Sequence, residues 1–136
     1  MFSLRLFTVI AFFTLTCTVN AQNVLNVGDS IAAAGSNTQV AVTIDNSAPI
    51  LGFSFGVSHN GGVLTPLGID QGAATSLLNG GTGAEYFFED LAPANGPGGS
   101  LAGISTFGGS LDSTPAGPNQ EIAVLNYTVN AAANPG

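Results

Sequence analysis

Residues 38–58 read TQVAVTIDNSAPILGFSFGVS, and this stretch decides the fold. In its first part Val40, Val42 and Ile44 fall on one side, and Gln39, Ala41, Thr43 and Asp45 on the other. A period of two is that of a strand with one buried face, because successive side chains of a strand point to opposite sides. Asn46-Ser47-Ala48-Pro49 interrupts it with residues that favour turns. The alternation then resumes, setting Leu51, Phe53, Phe55 and Val57 inward and Gly52, Ser54, Gly56 and Ser58 outward. Two half-buried strands joined by a turn need further strands to cover their apolar faces.

The rest of the chain supplies them. Strand patterns occupy residues 24–27, 63–69, 85–91, 100–107 and 121–130, which makes seven in all. Pro66 marks the fourth as an edge or bulge, since proline cannot donate to a ladder. In the last, Ala123, Leu125, Tyr127 and Val129 point one way, and Val124, Asn126 and Thr128 the other. Turn signals separate the runs. Asn60-Gly61-Gly62 predicts a hairpin whose glycines take positive φ, and residues 113–119 form a loop with Pro115 and Pro118. Residues 73–78 predict one helical turn, ended by Asn79-Gly80-Gly81. With nineteen glycines, seven prolines and no amphipathic helix, the fold class is an all-β sandwich or barrel.

Residues 1–21 read as a secretory signal peptide. Arg5 supplies the positive start, residues 6–15 a short apolar core, and Val19-x-Ala21 a cleavage site before Gln22. The apolar run is about half the 20 residues a spanning helix needs. The expected product is one secreted domain, residues 22–136, with no membrane insertion after cleavage. Cys17 leaves with the signal, so this domain has no disulfide and no thiolate metal ligand.

Residues 22–136 contain no Lys or Arg and all eight carboxylates of the chain. Nucleic-acid binding is excluded, because phosphates are neutralised by cationic side chains. Phosphoryl transfer and anionic-lipid binding lose the same groups.

Specific residues now point to a family. Val24-Leu25-Asn26-Val27-Gly28-Asp29, then Gly35 and Val40-Ala41-Val42-Thr43-Ile44-Asp45-Asn46, resemble the opening of cohesin domains. Residues 50–60 with Val63-Leu64 are similar to the cohesin third strand and its exit, and Ile122-Ala123-Val124-Leu125-Asn126-Tyr127-Thr128-Val129 to a late cohesin strand. The aromatic-acidic run Tyr86-Phe87-Phe88-Glu89 resembles divergent cohesin-like modules of marine, planctomycete-type bacteria. The resemblance implies a jelly-roll β-sandwich, related in shape to carbohydrate-binding modules, that binds calcium-loaded dockerins in polysaccharide-degrading assemblies. It also implies a contact face on the outer side of the third strand, at Gly52, Ser54, Gly56 and Ser58. Family members that bind dockerin carry an Asn and an Asp there; this chain has Gly52 and Ser54, and His59-Asn60 at the strand exit. The family continues past the last strand found here, so the resemblance implies a domain lacking its last strand or two, with an unpaired sheet edge.

Three constellations bear on chemistry. His59 is the sole imidazole, and Gly52-Phe53-Ser54-Phe55-Gly56 has the letters of a nucleophile elbow but the alternation of a strand. Glu85 and Glu89 share a strand face about 13 Å apart, too far for the carboxylate pair of a glycosidase. Asp90, Asn95 and Asp112 are oxygen donors of the type calcium takes, without EF-hand spacing. The reading is therefore a non-catalytic binding module with no cofactor, its partner a dockerin-like protein. The alternatives are a carbohydrate-binding module stacking sugars on Tyr86 or Phe87, and a structural module of a larger surface protein.

Overall fold

The computed structural model describes residues 22–92, 99–105 and 112–133; the region read as a signal peptide lies outside them. Among the described residues, seven strands form two antiparallel sheets packed face to face. They are β1 (Asn23–Val27), β2 (Asn37–Asn46), β3 (Gly52–Ser58), β4 (Leu64–Gln71), β5 (Tyr86–Asp90), β6 (Gly99–Ser105) and β7 (Gly117–Val129). One sheet has the order β1-β2-β7-β4 and the other β3-β6-β5. Two short helices, α1 (Ala73–Ser76) and α2 (Leu78–Gly81), follow β4. The architecture is the all-β sandwich that the alternation predicts, in the jelly-roll form that the resemblance implies.

The core comes from the alternating positions. Val42, Ile44, Ile69, Ile122, Ala123, Leu125 and Tyr127 are buried, and Val40, Phe53, Phe55, Val57 and Phe87 pack against them. Each fully buried aliphatic side chain contributes about 1.5–3 kcal/mol of transfer free energy. No β1 residue belongs to this cluster. Leu25 and Val27 pair with Ile44 and Val42, which turns them to the same inner face, yet they remain 39% and 47% exposed. Among the described residues the four-stranded sheet is one strand wider than the sheet above it, and β1 is the strand that they leave without cover. The outer edge of β3 has no strand partner among the described residues.

Three sequence expectations are corrected. Asn60-Gly61-Gly62 does not close a hairpin, since β3 and β4 belong to different sheets. The turn carries the chain across the sandwich instead. Its glycines do not have positive φ. Asn60 sets the bend itself, its Oδ1 accepting from Gly62 N at 2.9 Å and its carbonyl from Val63 N and Leu64 N. Leu51 is exposed rather than inward, because β3 begins one residue later at Gly52. The helical turn at 73–78 is followed by a second, entered through Asn79 and Gly80 in left-handed conformation. Pro66 does mark an irregularity: β4 is an edge strand with a bulge between Pro66 and Gly68 that leaves Leu67 unpaired.

The joints between sheets use polar groups. Asn46 is buried at the end of β2, where its Nδ2 donates to the carbonyls of Ala48 and Pro115, at 2.8 and 2.9 Å, and its Oδ1 accepts from Gln120 Nε2. Glu89 of β5 accepts from the Ile69 amide of β4 at 2.6 Å, which closes the other flank. At the β4–α1 junction Ile122 O accepts from both Gly72 N and Thr75 Oγ1. A Cβ on Gly72 would lie 2.5 Å from Glu121 O and 2.7 Å from Ala123 N.

Two stability predictions follow from this packing. Gly72→Ala forces backbone against backbone and lowers stability by about 2 kcal/mol or more, seen as a lower urea midpoint at unchanged slope. Leu125→Ala costs about 2–5 kcal/mol, whereas Leu25→Ala on the uncovered strand costs less than about 1 kcal/mol. Equal losses at positions 25 and 125 would show that β1 is covered in solution.

Candidate functional site

The outer surface of the three-stranded sheet takes its character from which residues the registers align. Gly52 pairs with Ser105, Ser54 with Gly103, Gly56 with Leu101 and Ser58 with Gly99. On the far side of β6, Ser105 pairs with Tyr86, Gly103 with Phe88 and Leu101 with Asp90. Paired residues share a face, so Gly52, Ser54, Gly56 and Ser58 lie in one surface with Tyr86 and Phe88. Ser54, Gly56 and Ser58 are exposed and Gly52 is half-buried, while Phe53, Phe55 and Val57 pack inward. Phe53 and Phe55 sit with ring centroids 6.2 Å apart, fixing the strand from beneath.

The aromatic strand divides the same way. Phe87 turns inward onto the core, whereas Tyr86 and Phe88 are 58% and 47% exposed. Phe87, read from the sequence as a sugar-stacking side chain beside Tyr86, is thus a packing residue, and Phe88 takes the outward place. The cause is parity: Glu89 must reach Ile69 N across the gap between sheets, which puts Phe87 on the same inner side. The face is flat and small-residued along β3 and aromatic along β5.

The remaining candidates separate. His59 follows β3 with its ring 5.3 Å from that of Tyr127. His59 Nδ1 and the Tyr127 hydroxyl are buried with no hydrogen-bond partner among the described residues. No carboxylate orients that nitrogen, as a triad would require. Glu85 is exposed just ahead of β5, while Glu89 is occupied at Ile69. Asp90 accepts from Ala92 N at 3.0 Å and Asp112 from Asn79 N at 2.7 Å, each shaping its own turn. Asn95 lies outside the described residues. Among the described residues no group of three or more His, Cys, Asp or Glu gathers.

Comparison with known proteins places this geometry. No family model matches the chain, and no curated protein does. Among solved structures, a chain from a complex of a dockerin with the cohesin CaCohA2 superimposes with a TM-score of 0.65 at 20% identity. The match covers 85% of this chain and 77% of that one. Similarity at this level of identity concerns architecture. The chain has a cohesin-like β-sandwich fold.

Proposed function

We propose that this chain is a secreted, non-catalytic binding module that holds a protein partner of the dockerin type in a polysaccharide-related assembly. The observation that carries the reading is the outer face of β3-β6-β5. A row of Gly52, Ser54, Gly56 and Ser58 lies beside exposed Tyr86 and Phe88, on a fold shared with a cohesin solved in complex with a dockerin. Small side chains let a partner helix approach the backbone closely, and aromatic residues are the commonest anchors of protein interfaces.

The Asn and Asp that dockerin-binding family members present on this strand are replaced by Gly52 and Ser54. Aromatic burial then carries a larger share of the affinity than hydrogen bonding, and a partner with an apolar helix face suits this surface better than a polar one. Secretion rests on residues 1–21, whose pattern is that of a signal peptide. A second reading draws on the same two aromatics: Tyr86 and Phe88, about 7 Å apart on one strand face, form a platform for stacking sugar rings.

Calorimetric titration of calcium-loaded dockerin modules tests the proposal. Binding is expected to weaken about tenfold or more (about 1.4 kcal/mol) in Ser54→Arg and in Phe88→Ala. The melting temperature should hardly move, because both side chains are exposed. Absence of binding across a dockerin panel, or binding indifferent to both substitutions, would overturn it. Retention on a polysaccharide lost in Tyr86→Ala and Phe88→Ala would favour the sugar-stacking reading instead.

A further inference from the structure

The opposite side of the sandwich carries a feature that the protein-contact reading does not use. On the outer surface of the four-stranded sheet lies a groove of about 790 Å3, within the size range of small-ligand sites. One wall is Leu67, pushed out by the β4 bulge and 51% exposed. Ser30 and Thr38 also line it. The floor is a row of polar side chains drawn from three neighbouring strands.

That row is pre-oriented. Gln39 Nε2 donates to Asn126 Oδ1 at 2.9 Å, and Asn126 Nδ2 donates to Asp70 Oδ2 at 2.8 Å. One turn of the pleat away, Thr128 Oγ1 donates to Asn37 Oδ1 at 2.9 Å. Asn126 spends both ends of its amide on its neighbours, while the outer members keep a group for a ligand. Asn37 retains its Nδ2 donor, Gln39 its Oε1 acceptor and Asp70 its Oδ1 acceptor. Asn37, Gln39 and Asp70 are exposed, and Asn126 is half-buried beneath them.

We infer that this groove binds a neutral oligosaccharide. A sugar chain presents adjacent hydroxyls, each both donor and acceptor, which match planar amides and a carboxylate fixed in advance. It also presents patches of C–H, which suit the apolar wall at Leu67. Neighbouring strands stand about 4.8 Å apart and alternate residues about 7 Å, so the floor samples points along more than one sugar ring. Acidic glycans are disfavoured: Asp70 faces the groove, and residues 22–136 offer no Lys or Arg to offset an anion. Fixing the side chains through the sheet lowers the ordering cost of binding.

The site is separate from the protein-contact face, so its failure and the failure of that reading are distinguishable. Affinity electrophoresis of the full chain through gels containing xylan, laminarin or hydroxyethylcellulose tests it. Retardation by at least one of these neutral polymers is expected. It should weaken about tenfold in Asp70→Ala and in Gln39→Ala, and in Leu67→Asp, which leaves the hydrogen-bonded row intact should the first two loosen it. Phe88→Ala should leave it unchanged. No retardation by any of the three, retardation indifferent to the groove variants, or capture of a basic lysine-rich peptide in their place would each overturn the inference.

Discussion

The pairing of β2 with β7 carries the rest of the molecule. These strands contribute Val42, Ile44, Ile122, Ala123, Leu125 and Tyr127 to the core, and they lie at the middle of the wider sheet. Their ends are far apart in sequence: Asn37 and Thr128, joined through side chains, are 91 residues apart. A ladder between such distant segments gains nothing until a long loop has closed, so the closing entropy must be met by apolar burial all at once. With no cysteine in residues 22–136, no disulfide shares that load. Every other element is placed by reference to this pair. β1 and β4 add to its two sides, α1 hangs through Thr75 on Ile122 of β7, the residue that the β2–β7 register skips, and the three-stranded sheet lies on its inner face.

Residues 22–136, which have no Lys or Arg, must satisfy their carboxylates in another way, and the structure shows how. Asp45 accepts from Asn119 N and Asn26 Nδ2, Asp70 from Asn126, and Glu89 from Ile69 N. Asp90, Asp112 and Glu121 accept from the backbone amides of Ala92, Asn79 and Ala73. The negative side chains therefore act as caps for turns and strand ends, where an N–H would otherwise lack a partner. This capping role places several of the acidic residues at joints, while Asp70 lies on an outer face of the sandwich. It also frees the outer surface of β3 from charge, since no ion pair has to be built there.

How much of this was legible varies with the physics. The inward sets of β2 and β3 could be read directly, because period-two alternation encodes burial of one face; in β7 the alternation finds Ala123, Leu125 and Tyr127 but misses Ile122, which a register shift buries beside Ala123. The assignment of strands to sheets could not, since alternation says which side of a strand is buried and nothing about its neighbour. Asn60-Gly61-Gly62 is the instructive failure. Its composition suits a hairpin, but a turn that crosses between sheets uses the same residues, and only the partners of β3 and β4 distinguish the two. Parity in β5 was ambiguous for a related reason. Tyr86-Phe87-Phe88 is apolar on both faces, and the tie is broken by Glu89, whose bond to a β4 amide is a tertiary fact. Asn46 carried a signal as a turn residue, but its role as a buried node joining residues 48, 115 and 120 needed the fold.

The two outer faces differ in a way that bears on what such a module does. The face of β3-β6-β5 is small-residued and aromatic, and it offers area without many donors or acceptors. The face of β1-β2-β7-β4 is an array of amides, hydroxyls and a carboxylate, offering donors and acceptors with one apolar wall at Leu67. Burial of area suits a protein surface, whereas directional hydrogen bonds suit a polyol, whose hydration must be replaced bond for bond. Because the faces lie on opposite sheets, occupation of one leaves the other free, and no motion of the sandwich is needed for both to be filled. With a protein partner on one face and a glycan on the other, as proposed, the module would join the two across packed sheets some 10 Å apart.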